Sequence, residues 1–468
     1  MNMAVLGQVH TFSCFGTYLA LDVESGSLHQ VDEPTYEILR LYPEKPPRAI
    51  VTALAPRFGA AAIREALAEV EAAVAAGTLF SPPAVAAWEP AGAPLVKALC
   101  LHVAHDCNLR CRYCFGDTGD FGGGRELMPE AVARQAIDFL LAGSGDRSLC
   151  EVDFFGGEPL LNLPVVRGTI AYARREGARR GKSFKFTLTT NAVLLTEAVR
   201  AELRDLGVSL VLSLDGRPAV HDTMRPDAAG RGSYRRVLPH ILAAAAADPE
   251  GDWWVRGTYT RANRDFDADA RHLADLGIRR FSLEPVVAEP PAPYALTEAD
   301  LPALYQAYDK LTRFYEERAR AGRPFTFFHF EVDLSHGPCL AKRFTGCGAG
   351  HEYFAVAPSG DLYPCHQFVG REKYRLGTVT EGVTRPDLVQ LFRRATLFSK
   401  PSCRTCWARY FCGGGCHANA ELFHGDIHVP YELGCALERK RVECALYLKA
   451  VLELGGGREP IPKEGVSA

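Results

Sequence analysis

Apolar positions recur with two different periods along the chain, and the changes of period divide it. Within residues 1–80, Leu19, Leu21 and Val23 alternate as in a strand, Ser25-Gly26 supplies a turn, and SLHQV returns, which predicts a β-hairpin. Three helical segments follow. The first opens near Pro34, a residue suited to a first helical turn; the last carries Ile63, Leu67, Val70 and Val74 on one face and stops at Gly77. A hairpin with three short helices is a winged-helix pattern: a small separate module that either caps the fold or captures an extended peptide along a strand edge. Residues 81–97, with SPPAVAAWEPAGAP, have no period and read as a linker.

From residue 98 the pattern changes. ALCLHVA, EVDFF, FKFTLTT, SLVLSLD, WWVRGTY and RRFSLEPVV are six short β-rich runs separated by amphipathic helical stretches. In the stretch after Pro129, Ala133, Ile137, Leu140 and Leu141 share a face. Strands alternating with helices predict an α/β fold, a parallel sheet with right-handed crossovers. Six units fall short of a closed eight-stranded barrel, so residues 98–335 are expected to form an open, partial (β/α)6 barrel with its chemistry at the C-terminal strand ends. A helical stretch near 297–321 leads into a cysteine-rich region, 336–454, and the glycine-rich tail 455–468 reads as disordered.

Composition narrows the function classes. The 468 residues are 47% hydrophobic and 23% charged, with a formal net charge of −3, so no general electrostatic case exists for nucleic acid or an anionic membrane. The N-terminus lacks a basic segment followed by an apolar run, and no stretch has the roughly 18 apolar residues of a membrane span. A cytoplasmic protein is expected. Fifteen cysteines in such a compartment point to metal or iron–sulfur ligation before disulfides.

The cysteines form two constellations. In HDCNLRCRYCF, Cys107, Cys111 and Cys114 follow the first predicted barrel strand and suit three corners of a 4Fe-4S cube. A zinc ion would want a fourth Cys or His at finger-like spacing, and His105 lies on the wrong side of the tight loop. FFGGEP closes the second strand: Gly156 and Gly157 let a ligand approach the backbone, and Glu158 is suited in charge to an ammonium group. LTTNA and SLDG place Thr190, Asn191, Ser213 and Asp215 at the third and fourth strand ends, with groups suited to a ribose or a carboxylate. Downstream, Cys347 and Cys365 bracket a hairpin-like segment with Gly360, followed by Cys403, Cys406, Cys412, Cys416 and Cys435. Two zinc knuckles are the alternative reading of that spacing. Cys14, Cys100, Cys150 and Cys444 match no ligand pattern.

The cysteine trio with Tyr113 inside its loop resembles the signature of radical S-adenosylmethionine (SAM) enzymes. That resemblance implies that SAM fills the place left open on the first 4Fe-4S cluster, that Tyr113, Gly157, Glu158, Asn191 and Ser213 belong to the SAM site, and that Arg225 lies near the SAM carboxylate. The seven C-terminal cysteines resemble the SPASM extension, which implies two auxiliary 4Fe-4S clusters: an outer one on Cys403, Cys406, Cys412 and Cys435, and an inner one on Cys347, Cys365 and Cys416. Cys339 or a substrate thiolate would complete the inner cluster.

Over nearly the whole chain the sequence is similar to the maturases that build thioether cross-links in ranthipeptides, notably those acting on "six cysteines in forty-five" (SCIFF) peptides. The stretches that carry this are LALDVESGSLHQVDEPTYEIL, CLHVAHDCNLRCRYCFGDTG and TGCGAGHEYFAVAPSGDLYPCHQFVG. The resemblance implies that residues 1–80 are a recognition element for the leader of a cysteine-rich precursor peptide. It also implies a low-potential electron donor such as ferredoxin or flavodoxin, and a 5′-deoxyadenosyl radical, with no catalytic side chain, as the oxidant. Two alternatives remain. Enzymes of the sulfatase-maturase type share the seven-cysteine extension but carry an aspartate where this chain has His366, here read as a hydrogen-bonding neighbour of Cys365. A zinc-stabilised peptide-binding scaffold without activity would share both the docking module and the cysteines.

Overall fold

The computed structural model describes residues 7–83, 88–90, 92–334 and 344–454. The expected hairpin is a three-stranded antiparallel sheet, β1 (Val9–Cys14), β2 (Thr17–Asp22) and β3 (Leu28–Val31), in the order β1-β2-β3. The period-2 reading missed β1 because VHTFSC mixes polar and apolar residues on both faces. Helices α1 (Glu33–Leu41), α2 (Pro47–Phe58) and α3 (Ala60–Ala75) follow. Asp32 caps α1 by accepting from the Thr35 amide at 2.9 Å, and Gly77, at φ +70°, lies just past the end of α3.

This sheet is buried on both faces. Ala20 packs with Ile38, Ile50, Ile63, Leu67 and Val70 of the three helices. Phe12, Cys14, Leu19 and Leu21 pack instead into the main core of the protein. The module is therefore not separate, as the sequence pattern suggested: half of its apolar strand surface exists to be covered by the rest of the chain.

The six predicted barrel runs are six parallel strands. β4 (Ala98–His105), which carries the two-residue β5 (Glu126–Leu127) antiparallel at its end, is followed by β6 (Leu149–Gly156), β7 (Ser183–Thr190), β8 (Val208–Ser213), β9 (Trp253–Tyr259) and β10 (Arg280–Pro285). The order β4-β6-β7-β8-β9-β10 is sequential, each step crossing over through at least one helix. All eight β4 residues are buried, as a strand covered on both faces requires. In α4 (Glu130–Gly143) the predicted face, Ala133, Ile137, Leu140 and Leu141, is the buried one. The long helix expected near 297–321 is Leu301–Arg320.

The ladder does not close. β11 (Thr326–Phe327) extends it beyond β10, and on the other side β12 (Tyr353–Val356) pairs in parallel with β4, Tyr353 opposite Ala98. β12 turns at Gly360 (φ +92°) into β13 (Asp361–Tyr363), and β14 (Gly377–Thr378) and β15 (Gly382–Val383) continue the sheet antiparallel. The cysteine-rich region is thus stitched to the barrel through its first strand. Among the described residues no helix is long and apolar enough to cross a membrane. The tail 455–468, read as disordered, lies outside the described residues.

The N-terminal module also grips the cysteine-rich region directly. Glu24, just after β2, accepts from Arg409 and from the Tyr410 hydroxyl (3.0 Å), and Arg409 donates to Gln8 at 2.8 Å. His10 stacks on Trp407 at 3.7 Å and 4° and pairs with Glu443 at 3.0 Å. Arg409 and Glu24 are almost fully buried, so removing one partner strands the other's charge away from water. Glu24→Ala is expected to lower stability by about 3–5 kcal/mol in urea denaturation, and Glu24→Gln by less. A loss indistinguishable from zero for Glu24→Ala would show that the pair does not hold the module.

Candidate active site

After β4 the chain turns back across the C-terminal ends of its neighbours, and this loop carries Cys107, Cys111 and Cys114. Two glycines let it lie there. A Cβ on Gly156 (φ +125°) would stand 2.2 Å from the Ala104 carbonyl oxygen, and one on Gly157 2.2 Å from that of Asp106. Across the gap the Gly157 amide donates to Ala104 O and the Glu158 amide to Asp106 O, both at 2.8 Å. Expected to admit a ligand, these glycines admit the cysteine loop itself.

Glu158, expected to meet an ammonium group, is fully buried and its carboxylate is already engaged. It accepts from the Thr190 hydroxyl (2.7 Å), the Asn191 amide (2.8 Å) and the Leu160 amide (3.1 Å). Burial pushes its pKa up to about 7 against the pull of those donors. It therefore ties the end of β6 to that of β7 and sets Asn191, whose side-chain amide donates to Asn108 Oδ1 (2.7 Å) and reaches Cys107 Sγ at 3.7 Å. Ser213 ends β8, half-buried.

Two residues on, Asp215 is the hub of the other side. It accepts from the Tyr113 hydroxyl (2.6 Å), Arg225 Nε (3.0 Å) and the Thr258 amide (3.0 Å). Arg225 lies with Nη1 4.0 Å from Cys111 Sγ and its guanidinium 5.5 Å from the centre of the Tyr113 ring. Tyr113, Asn191 and Arg225 are thus gathered around the trio, with Ser213 at the adjoining strand end.

The trio suits an iron–sulfur cube. Burial, with a smaller push from the neighbouring thiols, brings Cys107 up to about 12, and burial against the pull of Arg225 brings Cys111 to about 11, so metal binding must displace their protons. Among the described residues no three His, Cys, Asp or Glu side chains gather closely enough for one metal ion. A zinc ion would draw its sulfurs to about 3.8 Å of one another, given Zn–S bonds near 2.3 Å. Donors to sulfur, which tune such clusters, are already placed, with the Leu109 amide 3.4 Å from Cys107 Sγ.

Comparison with known proteins agrees with this geometry. A family model described as the radical SAM superfamily matches residues 101–248, from within β4 to just past the helix Tyr234–Ala247. The mycofactocin maturase of Mycobacterium ulcerans is 30% identical over 346 residues, covering 70% of this chain and 85% of that protein. The chain belongs to the radical SAM superfamily. The serine-type anaerobic sulfatase-maturating enzyme of Klebsiella aerogenes is 27% identical over 329 residues, 67% of this chain and 78% of that protein. Among solved structures, anSMEcpe with bound AdoMet superposes with a TM-score of 0.63 at 19% identity, covering 76% of this chain and all of that one, which speaks for the fold. SAM binding and iron–sulfur chemistry come with membership of the superfamily.

In this radical SAM protein the seven C-terminal cysteines lie in two neighbourhoods. Cys365 and Cys416 are raised by burial and by each other or by Cys347. Cys403, Cys412 and Cys435 are raised by burial and by one another or by Cys406. The first group adjoins the radical SAM loop: the ring of His366, next to Cys365, lies 5.5 Å from that of Phe115, next to Cys114, and 5.1 Å from Phe155. His366 Nδ1 is 3.4 Å from the Tyr353 hydroxyl. Cys339 lies outside the described residues. Cys14, Cys100, Cys150 and Cys444 are buried packing residues.

His102 carried no motif, although a histidine inside an apolar strand was a signal. Its Nδ1 lies 3.1 Å from His105 Nε2, and its ring packs on Phe121 behind the cysteine loop. Gly157→Ala is expected to lift that loop off β6. Iron analysis of protein prepared without oxygen should then show about four fewer irons per chain with circular dichroism unchanged. Full iron content would mean the close approach is not required.

Proposed function

We propose that this chain is a peptide maturase that joins cysteine sulfur to carbon, forming thioether cross-links in a ribosomally made, cysteine-rich precursor. The observation that carries the reading is the group that Cys347, Cys365 and Cys416 form among the described residues, beside the radical SAM loop through the Phe115–His366 contact. A cube held there has one iron free for Cys339 or for the substrate's own thiolate. The relatives named as mycofactocin maturase and sulfatase-maturating enzyme, and anSMEcpe solved with AdoMet and the Kp18Cys peptide, support a peptide or protein substrate.

Cys107, Cys111 and Cys114 would hold the cluster that binds SAM, and Cys403, Cys406, Cys412 and Cys435 the outer auxiliary cluster. Bound together, the first cluster and SAM supply hydrogen-atom abstraction. The chain's own part is placement. Asp215 orients Arg225 and Tyr113 over the trio, Glu158 fixes Asn191, and Phe115, Phe155 and His366 line the way between the two thiol groups. Residues 1–80 would be the leader recognition element and residues 336–454 the SPASM domain. β1 and β3 are the edges of the N-terminal sheet, and a leader strand would add to one of them. Each cross-link would remove one hydrogen atom from carbon, which leaves in 5′-deoxyadenosine, and one proton and one electron from sulfur. A low-potential donor such as ferredoxin or flavodoxin would supply the electron for SAM cleavage, and the auxiliary clusters, where held, would supply an acceptor for the electron given up at sulfur.

Oxidation of a cysteine or serine to formylglycine is the second reading, favoured by the sulfatase-maturating relatives and opposed by His366 in place of an aspartate. Mass spectrometry of a co-expressed cysteine-dense peptide separates the two: a loss of two hydrogens per link is expected, whereas an aldehyde product would select formylglycine. Cys111→Ala is expected to abolish SAM cleavage and Cys406→Ala to leave cleavage uncoupled from cross-linking. Protein prepared without oxygen should hold about twelve irons; a colourless protein with two zincs would select the inert scaffold.

A further inference from the structure

One lysine in the cysteine-rich region is placed where a lysine is rarely found. Lys400 is fully buried, with no exposed surface at all. Buried lysines are usually paired with a carboxylate. Among the described residues this one is not: its ammonium donates to a backbone carbonyl, Gly414 O, at 2.7 Å. Gly414 stands midway between Cys412, of the four-thiol group, and Cys416, of the three-thiol group. Gly413, Gly414 and Gly415 all have positive φ (69°, 93° and 75°), which bends the chain around the ammonium. The Lys400 carbonyl accepts from the Cys403 amide at 3.0 Å, and Gly346, next to Cys347, abuts the Gly413 carbonyl, so both groups close on this point. Burial pulls the lysine's pKa down; Cys403, Cys412, Cys416 and Cys347 push it back up.

We propose that Lys400 is a shared positioning cation of the two auxiliary clusters, set between them to raise the reduction potential of both. The proposal rests on the two-cluster reading above. Thiolate-held cubes are net anionic, and they are the partners this ammonium otherwise lacks. A fixed positive charge in a low-dielectric interior favours the more negative, reduced state of each neighbouring cluster. It thereby makes the pair better acceptors for an electron arriving from the barrel. An uncharged amine bracing the glycine loop would hold the same hydrogen bond without moving either potential.

The test uses full-length protein prepared without oxygen. Lys400→Met keeps the bulk and removes the charge, and Lys400→Arg keeps the charge. In potentiometric titrations followed by electron paramagnetic resonance, SAM identifies the first cluster by perturbing its signal. Lys400→Met is expected to keep its iron, to leave the first cluster's midpoint unchanged and to move both auxiliary midpoints to more negative values, with Lys400→Arg close to the parent. Unchanged auxiliary midpoints would overturn the proposal, and a shift of one alone would overturn the shared role. If Lys400→Met loses auxiliary iron, the parent protein labelled with ¹⁵N-lysine decides: pulsed resonance should show a lysine nitrogen coupled to both reduced auxiliary centres, and absence of coupling overturns the assignment. A parent protein with no auxiliary centre would overturn the cluster reading itself, an outcome distinct from intact centres whose potentials ignore Lys400.

Discussion

The cysteine loop can lie flat across the barrel's strand ends because no Cβ stands at Gly156 or Gly157, and the rest of the site depends on that contact. Carbonyl oxygens of Ala104 and Asp106 occupy the space a side chain would need, and the amides of Gly157 and Glu158 hold them there. Once the loop is down, Glu158 can spend its carboxylate on the end of β7, which brings Asn191 to Cys107. Asp215 does the equivalent on the other side, drawing Tyr113 and Arg225 to Cys111. Buried carboxylates with several donors each make such a scaffold stiff, because any displacement leaves a charge unpaired.

The same economy joins the parts of the chain. β12 adds to the free edge of β4, so the cysteine-rich region grows from the strand that delivers the radical SAM loop. That puts His366 beside Phe115 and the three-thiol group beside the first trio. At the far side, Glu24 and Arg409 join the N-terminal sheet to the segment bearing Cys403, Cys406 and Cys412. The N-terminal sheet, the radical SAM loop and the segment bearing Cys403, Cys406 and Cys412 therefore belong to one continuous packed body.

Much of this was legible along the chain. The six strands follow from apolar runs alternating with amphipathic helices, a local pattern, and the cysteine trio from its spacing, whereas the division of the downstream cysteines into two groups came only from their resemblance to the SPASM extension. The N-terminal module was read with its helices right and its sheet short of one strand. β1 has no alternation of its own; it is a strand because Phe12 and Cys14 meet the main core. Gly157 and Glu158 were found as a motif, but the contacts they make within the fold, with Asp106, Thr190, Asn191 and Leu160, were not. A carboxylate's partners depend on which strand ends lie within 3 Å, and no spacing rule reports that.

By itself, then, the order of residues determined the α/β class and the succession of parallel strands, since both are written in periodicity, and it carried the run of cysteines whose resemblance pointed to the superfamily. Tertiary structure alone decided that Asp215 gathers the radical SAM side chains, that Glu24 meets Arg409 across 385 positions, and that Lys400 is buried between two groups of thiols. Those outcomes are set by which surfaces are removed from water together, a property of the assembled fold and of no single segment.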